Sequence, residues 1–128
     1  MSPRRFHWYP HPLAVVKLPL DAPLPPLGEL ELFSLTRTPR ELSLVVPEHA
    51  VPESAARVSP GWRALAVVGP LDFSLVGIMA EISRALAAAA VSLFAVSTHD
   101  TDLVLVAEAD VGRAQAALEA VGWTVAEP

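Results

Sequence analysis

Apolar positions recur with clear secondary-structure periods after residue 61. Residues 63–68 (RALAVV) form a mostly apolar run that predicts a short buried strand, ended by Gly69 and Pro70. The apolar residues that follow have helical spacing and predict a helix with Ser74 as its cap. These residues are Leu75, Ile78, Met79, Ile82 and Leu86.

Two more strands and a second helix complete this half of the chain. Residues 91–97 (VSLFAVS) and 102–106 (DLVLV) predict strands joined by a hairpin-like connection. Asp110 is expected to cap a helix that Gly122 ends, with an apolar face of Val111, Ala114, Leu118 and Val121. Residues 123–125 predict a last short strand. The order is βαββαβ, the ferredoxin-like split motif, with two helices on one face of an antiparallel sheet.

The first half contains a shortened copy of this plan. LAVVKLPLD matches LAVVGPLD with one inserted residue, and FSLTRTPRELSLVVPE matches FAVSTHDTDLVLVAE without a gap through Val45. This register lays Glu41 over Asp102. Between the two blocks the first copy has only positions 22–32, where the second has positions 73–93, so most of a helix is missing. Two blocks in the same order predict an internal repeat.

Proline distribution separates the two halves. Eleven of the 13 prolines precede residue 61, where they disfavour regular helices. We therefore predict an α+β fold of tandem ferredoxin-like units, with antiparallel sheets and helices on one face. Residues 1–60 form a degenerate N-terminal repeat with Pro-rich loops, and residues 61–128 form the complete unit.

Composition and charge narrow the functional classes. Hydrophobic types make up 52% of the 128 residues and charged types 18%, which excludes intrinsic disorder. The net charge is −5 and the nine Lys and Arg residues are scattered, so no nucleic-acid partner is expected. The longest uncharged apolar stretch, residues 85–97, is too short to span a bilayer. We expect a cytoplasmic protein with no membrane association.

Neither a catalytic site nor a cofactor site is expected. Cysteine is absent, and His7 and His11 lack a third ligand and a helix that would align them, since Pro10 and Pro12 flank His11. The aromatic residues near the N-terminus are interpreted as an arm that covers core or a partner. His99 and Asp100 are neighbours on a turn, with no nucleophile identifiable, so the protein is not expected to be an enzyme.

Three segments together resemble the ACT domain family. They are GPLDFSLVGIMAEIS, VSLFAVSTHDTDLVLV and a helix that ends in VGW. The hairpin S-T-x-x-x-D, followed by an apolar strand and an acidic residue, is similar to that of small two-repeat bacterial ACT proteins and of the arginine-sensing ACT proteins of animals. The resemblance implies a protein that binds amino acids at interfaces between domains and regulates rather than catalyses.

The resemblance implies two groups of ligand-binding residues and a weaker third. The turn before the first helix contributes Asp72, Phe73 and Ser74, and the hairpin contributes Thr98, His99 and Asp102. Ser92 and Leu93, on the strand that meets a partner domain, are the weaker candidates. Backbone N–H groups at the helix start suit a carboxylate, and the Asp102 carboxylate suits an ammonium group.

Some of these candidate ligand-binding residues are equally suited to purely structural roles. Asp72 is equally suited to capping the helix, Asp102 to holding the hairpin through backbone N–H groups, and His99 to an exposed turn position. The turn lacks an acidic residue just before Gly77, and His99 occupies an aromatic hairpin position, so arginine is not the expected ligand.

We therefore predict non-catalytic binding of a small amino-acid-like effector in a regulatory or sensor role. The alternative is a dimerisation or protein-interaction module that regulates a partner by contact and binds no ligand. Because the first unit has lost most of a helix, its exposed surface favours association with a second chain, and a homodimer is expected.

Overall fold

A computed structural model describes residues 4–69 and 77–126. The eight strands are β1 (Arg5–Trp8), β2 (Leu13–Leu18), β3 (Ser34–Arg37), β4 (Leu42–Pro47), β5 (Arg57–Val67), β6 (Phe94–Ser97), β7 (Asp102–Ala107) and β8 (Thr124–Val125). The two α-helices are α1 (Ile78–Ala88) and α2 (Val111–Ala120). Short 3-10 helices, Glu48–Ala50 and Glu108–Asp110, follow β4 and β7. The mixed α+β class, with an antiparallel sheet and helices, is confirmed.

The C-terminal unit contains both α-helices. It consists of the described residues up to Pro10 and from Arg63 onward. Its strands follow the order β6-β7-β5-β1-β8; the β6–β7 and β5–β1 pairs are antiparallel and the short β1–β8 pair is parallel. Both helices pack on one core cluster, whose buried residues are Phe6, Leu65, Val67, Ile82, Ala85, Leu86, Val91, Val104, Val106, Ala114, Leu118 and Trp123.

The strand β1 was not predicted from the sequence. Its Phe6 side chain is fully buried, and its ring lies 6.1 Å from that of Trp8 and 6.5 Å from that of Trp123. Trp8 Nε1 donates a hydrogen bond of 3.0 Å to Gln115 Oε1 on α2. Residues 4–10, which the sequence interpretation grouped with the N-terminal repeat, therefore belong to the C-terminal unit.

The N-terminal unit, His11–Trp62, is a small antiparallel sheet. Its strands follow the order β3-β4-β2 and the first half of β5. Within His11–Trp62, all of which is described, the only helical segment is the 3-10 helix Glu48–Ala50. The buried cluster comprises Ala14, Val16, Leu18, Leu42, Leu44 and Val46, which alternate along β2 and β4 as half-buried strands require.

The β3–β4 and β6–β7 hairpins have the same turn geometry. The strands of one hairpin begin at Ser34 and Leu42, and those of the other begin at Phe94 and Asp102. In each turn a threonine N–H donates to the carbonyl three residues later, from Thr38 and from Thr98. Alignment of the two threonine turns places Asp102 opposite Leu42, one residue away from the register of the sequence match.

Both helices end with the same backbone motif. A residue with positive φ follows each helix, Ala90 (φ 58) after α1 and Gly122 (φ 100) after α2. In each case the next N–H donates back across the last turn, from Val91 to Leu86 O at 2.9 Å and from Trp123 to Leu118 O at 3.0 Å. This Schellman geometry favours glycine at the left-handed position.

Two single substitutions, Ala90→Gly and Gly122→Ala, are expected to change the stability of the protein in opposite directions. Ala90→Gly removes the strain of a side chain at positive φ and should raise the free energy of unfolding by about 0.5 kcal/mol. Gly122→Ala introduces that strain and should lower it by about 1 kcal/mol. Urea denaturation measures both changes. Two changes of the same sign would contradict this account of the helix ends.

Candidate functional site

The turn of the β6–β7 hairpin lies at the end of β5. The strand β7 pairs with β5, and the Thr101 hydroxyl donates a hydrogen bond to the Val67 carbonyl, on the last residue of β5. A site shared by the hairpin and the turn after β5 requires β5 and β7 to be neighbours in the sheet, as they are here. Asp72, Phe73 and Ser74 follow this end of β5 in the sequence and lie outside the described residues.

Thr98 closes the hairpin turn through both functions of its hydroxyl. Thr98 Oγ1 donates to the Thr101 carbonyl at 3.0 Å and accepts from the Thr101 N–H at 3.1 Å. The threonine is thus engaged in holding the turn. One of its two acceptor lone pairs is left for a ligand.

Asp102 makes a side-chain contact rather than the backbone contact considered from the sequence. Ser97 and Asp102 are a cross-strand pair, and the Ser97 hydroxyl donates to Asp102 Oδ1 at 2.7 Å. Among the described residues, Asp102 Oδ2 makes no hydrogen bond. One carboxylate oxygen therefore supports the hairpin, while the other remains available to an ammonium group.

The other predicted residues differ in their surroundings. The His99 side chain is 87% exposed, and its Nδ1 lies 2.8 Å from Asp100 Oδ1. Ser92 is exposed and Leu93 is half-buried, and both precede β6. The strand predicted from residue 91 begins at Phe94, because Val91 completes the end of α1 and Leu93 packs against the core cluster.

An open cavity of about 370 Å³ lies beside the hairpin turn. Three segments of the C-terminal unit line it: β1, the end of β5 and the hairpin. The lining residues are His7, Tyr9, Ala66, Val67, Val68, Gly69, Asp100 and Thr101. Among the described residues, the hairpin of the predicted site reaches this cavity through Asp100 and Thr101, the neighbours of Thr98 and Asp102.

The cavity opens on the face of the sheet opposite the helices. Phe6 and Trp8 pack with the core cluster, and successive residues of a strand point to opposite faces. His7 and Tyr9 therefore lie on the other face, where their ring centroids are 5.3 Å apart. Sequence reasoning missed these two residues. The signal that could have revealed them is the alternation of polar and aromatic residues in RFHWY, which is a strand pattern.

Two general features of the described residues bear on function. No described helix has the length and apolar character needed to cross a membrane. Within residues 4–69 and 77–126, no group of three His, Asp or Glu side chains is arranged to hold a metal ion.

Comparisons with solved structures identify proteins of the same fold. The X-ray structure of a protein from Agrobacterium tumefaciens superposes with a TM-score of 0.87 at 26% identity, covering 98% of this chain and 94% of that one. A Vibrio cholerae protein of unknown function, described as a possible transport protein, gives 0.68 at 20% identity over 88% and 85% of the chains. The ligand-free regulatory subunit of aspartate kinase from Thermus thermophilus gives 0.63 at 11% identity over 90% and 95%.

A match between the sequence and a family model identifies the family of this chain. No curated protein matches the chain significantly. The family model of the ACT domain matches residues 57–120, which span β5, both α-helices and the β6–β7 hairpin. ACT domains are regulatory rather than catalytic, and a regulatory subunit is among the structural neighbours. This chain belongs to the ACT domain family.

Proposed function

We propose that this ACT-domain protein binds a small amino-acid-like effector without transforming it and acts as a regulator or sensor. The observation that supports this most is the hydrogen bond from Thr101 to the Val67 carbonyl. It brings the β6–β7 turn to the end of β5, beside a cavity of about 370 Å³. That volume lies within the range of small-molecule sites.

The effector contacts both segments that follow from the ACT resemblance. Backbone N–H groups of the turn at Asp72, Phe73 and Ser74, which precedes α1 (Ile78–Ala88), receive its carboxylate. Asp102 Oδ2 receives its ammonium group, and Thr98 and His99 complete the hairpin side of the site. The availability of Asp102 Oδ2 among the described residues supports this assignment.

The protein functions as a cytoplasmic homodimer of two-repeat chains. The equivalent turns at Thr38 and Thr98 support an internal repeat, in which residues 11–60 retain the hairpin and have lost the helices. Ser92 and Leu93, which precede the edge strand β6, face the partner domain. Light scattering during size-exclusion chromatography should give about twice the 13.6 kDa chain mass, and a species of 13.6 kDa alone at micromolar concentration would contradict the dimer.

Arginine is not the effector that we propose, although the hairpin resembles that of the arginine-sensing ACT proteins. His99 occupies an aromatic position of that pattern, and Val76 precedes Gly77 where the pattern has an acidic residue. Both differences remove groups that suit a guanidinium.

A thermal-denaturation screen against the twenty amino acids tests the proposed function. An effector present at 100 times its Kd should stabilise the folded protein by about 2.7 kcal/mol and raise its Tm. At least one amino acid should produce such a shift. The absence of any shift would instead support an interaction module that regulates its partner by contact.

A further inference from the structure

The cavity beside the hairpin turn has one wall that the ACT resemblance does not include. That wall is the strand β1 and its extension, which contribute His7 and Tyr9. Both side chains are half-buried, and neither makes a side-chain hydrogen bond with another residue in the described part of the chain. The imidazole and the phenol hydroxyl are therefore available to a ligand.

The aromatic wall suits a planar group. The His7 and Tyr9 rings are tilted by 55°, with centroids 5.3 Å apart. Ala66 pairs with His7 in the ladder and adds only a methyl group to the cavity, so space remains beside the rings. A third ring could pack against this pair in the tilted or offset geometry that aromatic side chains prefer.

The hairpin wall supplies a negative charge. The Asp100 carboxylate lines the cavity, and its side chain is 70% exposed. Its Oδ1 lies 2.8 Å from His99 Nδ1, and Oδ2 makes no hydrogen bond with another described residue. The described lining contains one carboxylate, that of Asp100, and no Lys or Arg. This lining favours a cation, and the face of the Tyr9 ring adds a cation–π attraction.

We propose that this cavity binds a primary amine that carries an aromatic ring, with an aromatic α-amino acid as the effector. The ammonium group, which has three N–H donors, bonds Asp100 Oδ2 in addition to Asp102 Oδ2 and lies against the Tyr9 ring, and the His7 and Tyr9 rings pack against the aromatic ring. These two aromatic residues thus determine specificity. This inference rests on the proposed function and names the class of effector.

Three related probes separate the contributions of the ring, the ammonium and the carboxylate. Calorimetric titration of the full chain should show binding of L-phenylalanine and of 2-phenylethylamine, which lacks the carboxylate. 3-Phenylpropionate, which lacks the ammonium group, should bind at least about tenfold more weakly than L-phenylalanine, because a charge-assisted bond is lost. Equal affinity for 3-phenylpropionate and L-phenylalanine would overturn the inference.

Variants of the cavity provide the second arm of the test. Tyr9→Ala and Asp100→Asn should each raise the Kd for L-phenylalanine about tenfold, while Tyr9→Phe should retain most of the affinity. Asp21→Asn and His49→Ala are matched controls, since both residues are exposed and lie in the His11–Trp62 unit. Unchanged affinity in Tyr9→Ala and Asp100→Asn would overturn the inference.

Failure of this inference can be distinguished from failure of the proposed function. If another amino acid binds and L-phenylalanine does not, the effector class is wrong and the regulatory role stands. If none of the twenty amino acids binds, both proposals fail.

Discussion

Replacement of Phe6 by alanine is expected to destabilise the protein by about 3–5 kcal/mol. Phe6 is fully buried in the core cluster of the C-terminal unit, between Trp8 and Trp123. Its removal leaves a cavity and loses two aromatic contacts, each of which adds to the burial energy. Urea denaturation followed by tryptophan fluorescence measures the change.

Phe33→Ala is the matched control for this substitution. Phe33 is 44% exposed, so its truncation should change stability by no more than about 0.5 kcal/mol. If Phe6→Ala does not fold, Phe6→Leu should still fold with a loss of about 1–1.5 kcal/mol. Equal effects of Phe6→Ala and Phe33→Ala would mean that β1 is not part of the core.

Replacement of Asp102 by alanine is expected to abolish most of the effector's stabilising effect. Loss of the proposed bond between this carboxylate and an ammonium group should weaken binding by about 1.5–3 kcal/mol. At 100 times the Kd of the unaltered protein, where the effector stabilises it by about 2.7 kcal/mol, that loss removes most of the stabilisation. The stability of the protein without effector should change by no more than about 0.5 kcal/mol, because Asp102 is not buried. Thermal denaturation with and without the active amino acid measures both quantities.

Ser97→Ala is the control that separates binding from support of the hairpin. It removes the same 2.7 Å hydrogen bond and leaves the Asp102 carboxylate in place. We expect Ser97→Ala to respond to the effector like the unaltered protein. Equal destabilisation in the two variants, with an unchanged response to effector, would assign Asp102 a structural role.

The second half of the fold could be predicted from the sequence because its periodicity is strong. The apolar residues Ile82 and Leu86 recur at helical spacing, and both are buried in α1. The strand β7 was predicted to begin at Asp102 and does so. Turn composition and periodicity are local properties, so they identify these elements without knowledge of their packing.

What the sequence did not reveal depends on contacts distant along the chain. The burial of Phe6 results from pairing of β1 with the end of β5, where Phe6 lies opposite Val67, and no local pattern encodes that pairing. The aromatic residues near the N-terminus were interpreted as an arm that covers core or a partner, whereas Arg5–Trp8 forms a strand of the sheet. The matching geometry of the Thr38 and Thr98 turns is likewise visible only in their backbone hydrogen bonds. The similarity of the apolar residues alone aligned the two segments one residue away from that match.

The site was only partly predictable for the same reason. The meeting of the hairpin with the end of β5 follows from the ferredoxin-like order of strands, which the sequence indicated. His7 and Tyr9 reach the cavity only because β1 pairs with β5, so their contribution required the structure.

The most direct test of effector binding at the end of β5 is an NMR titration of the isotopically labelled chain. The amino acid with the largest effect in the thermal screen is added while the backbone amide signals are followed. We expect the signals of Thr98, Thr101 and Asp102, and of the residues after Val67, to change with saturation, while those of Thr38 and Glu41 in the equivalent turn do not. Changes confined to the Thr38 turn, or no change in either turn, would contradict the proposed site.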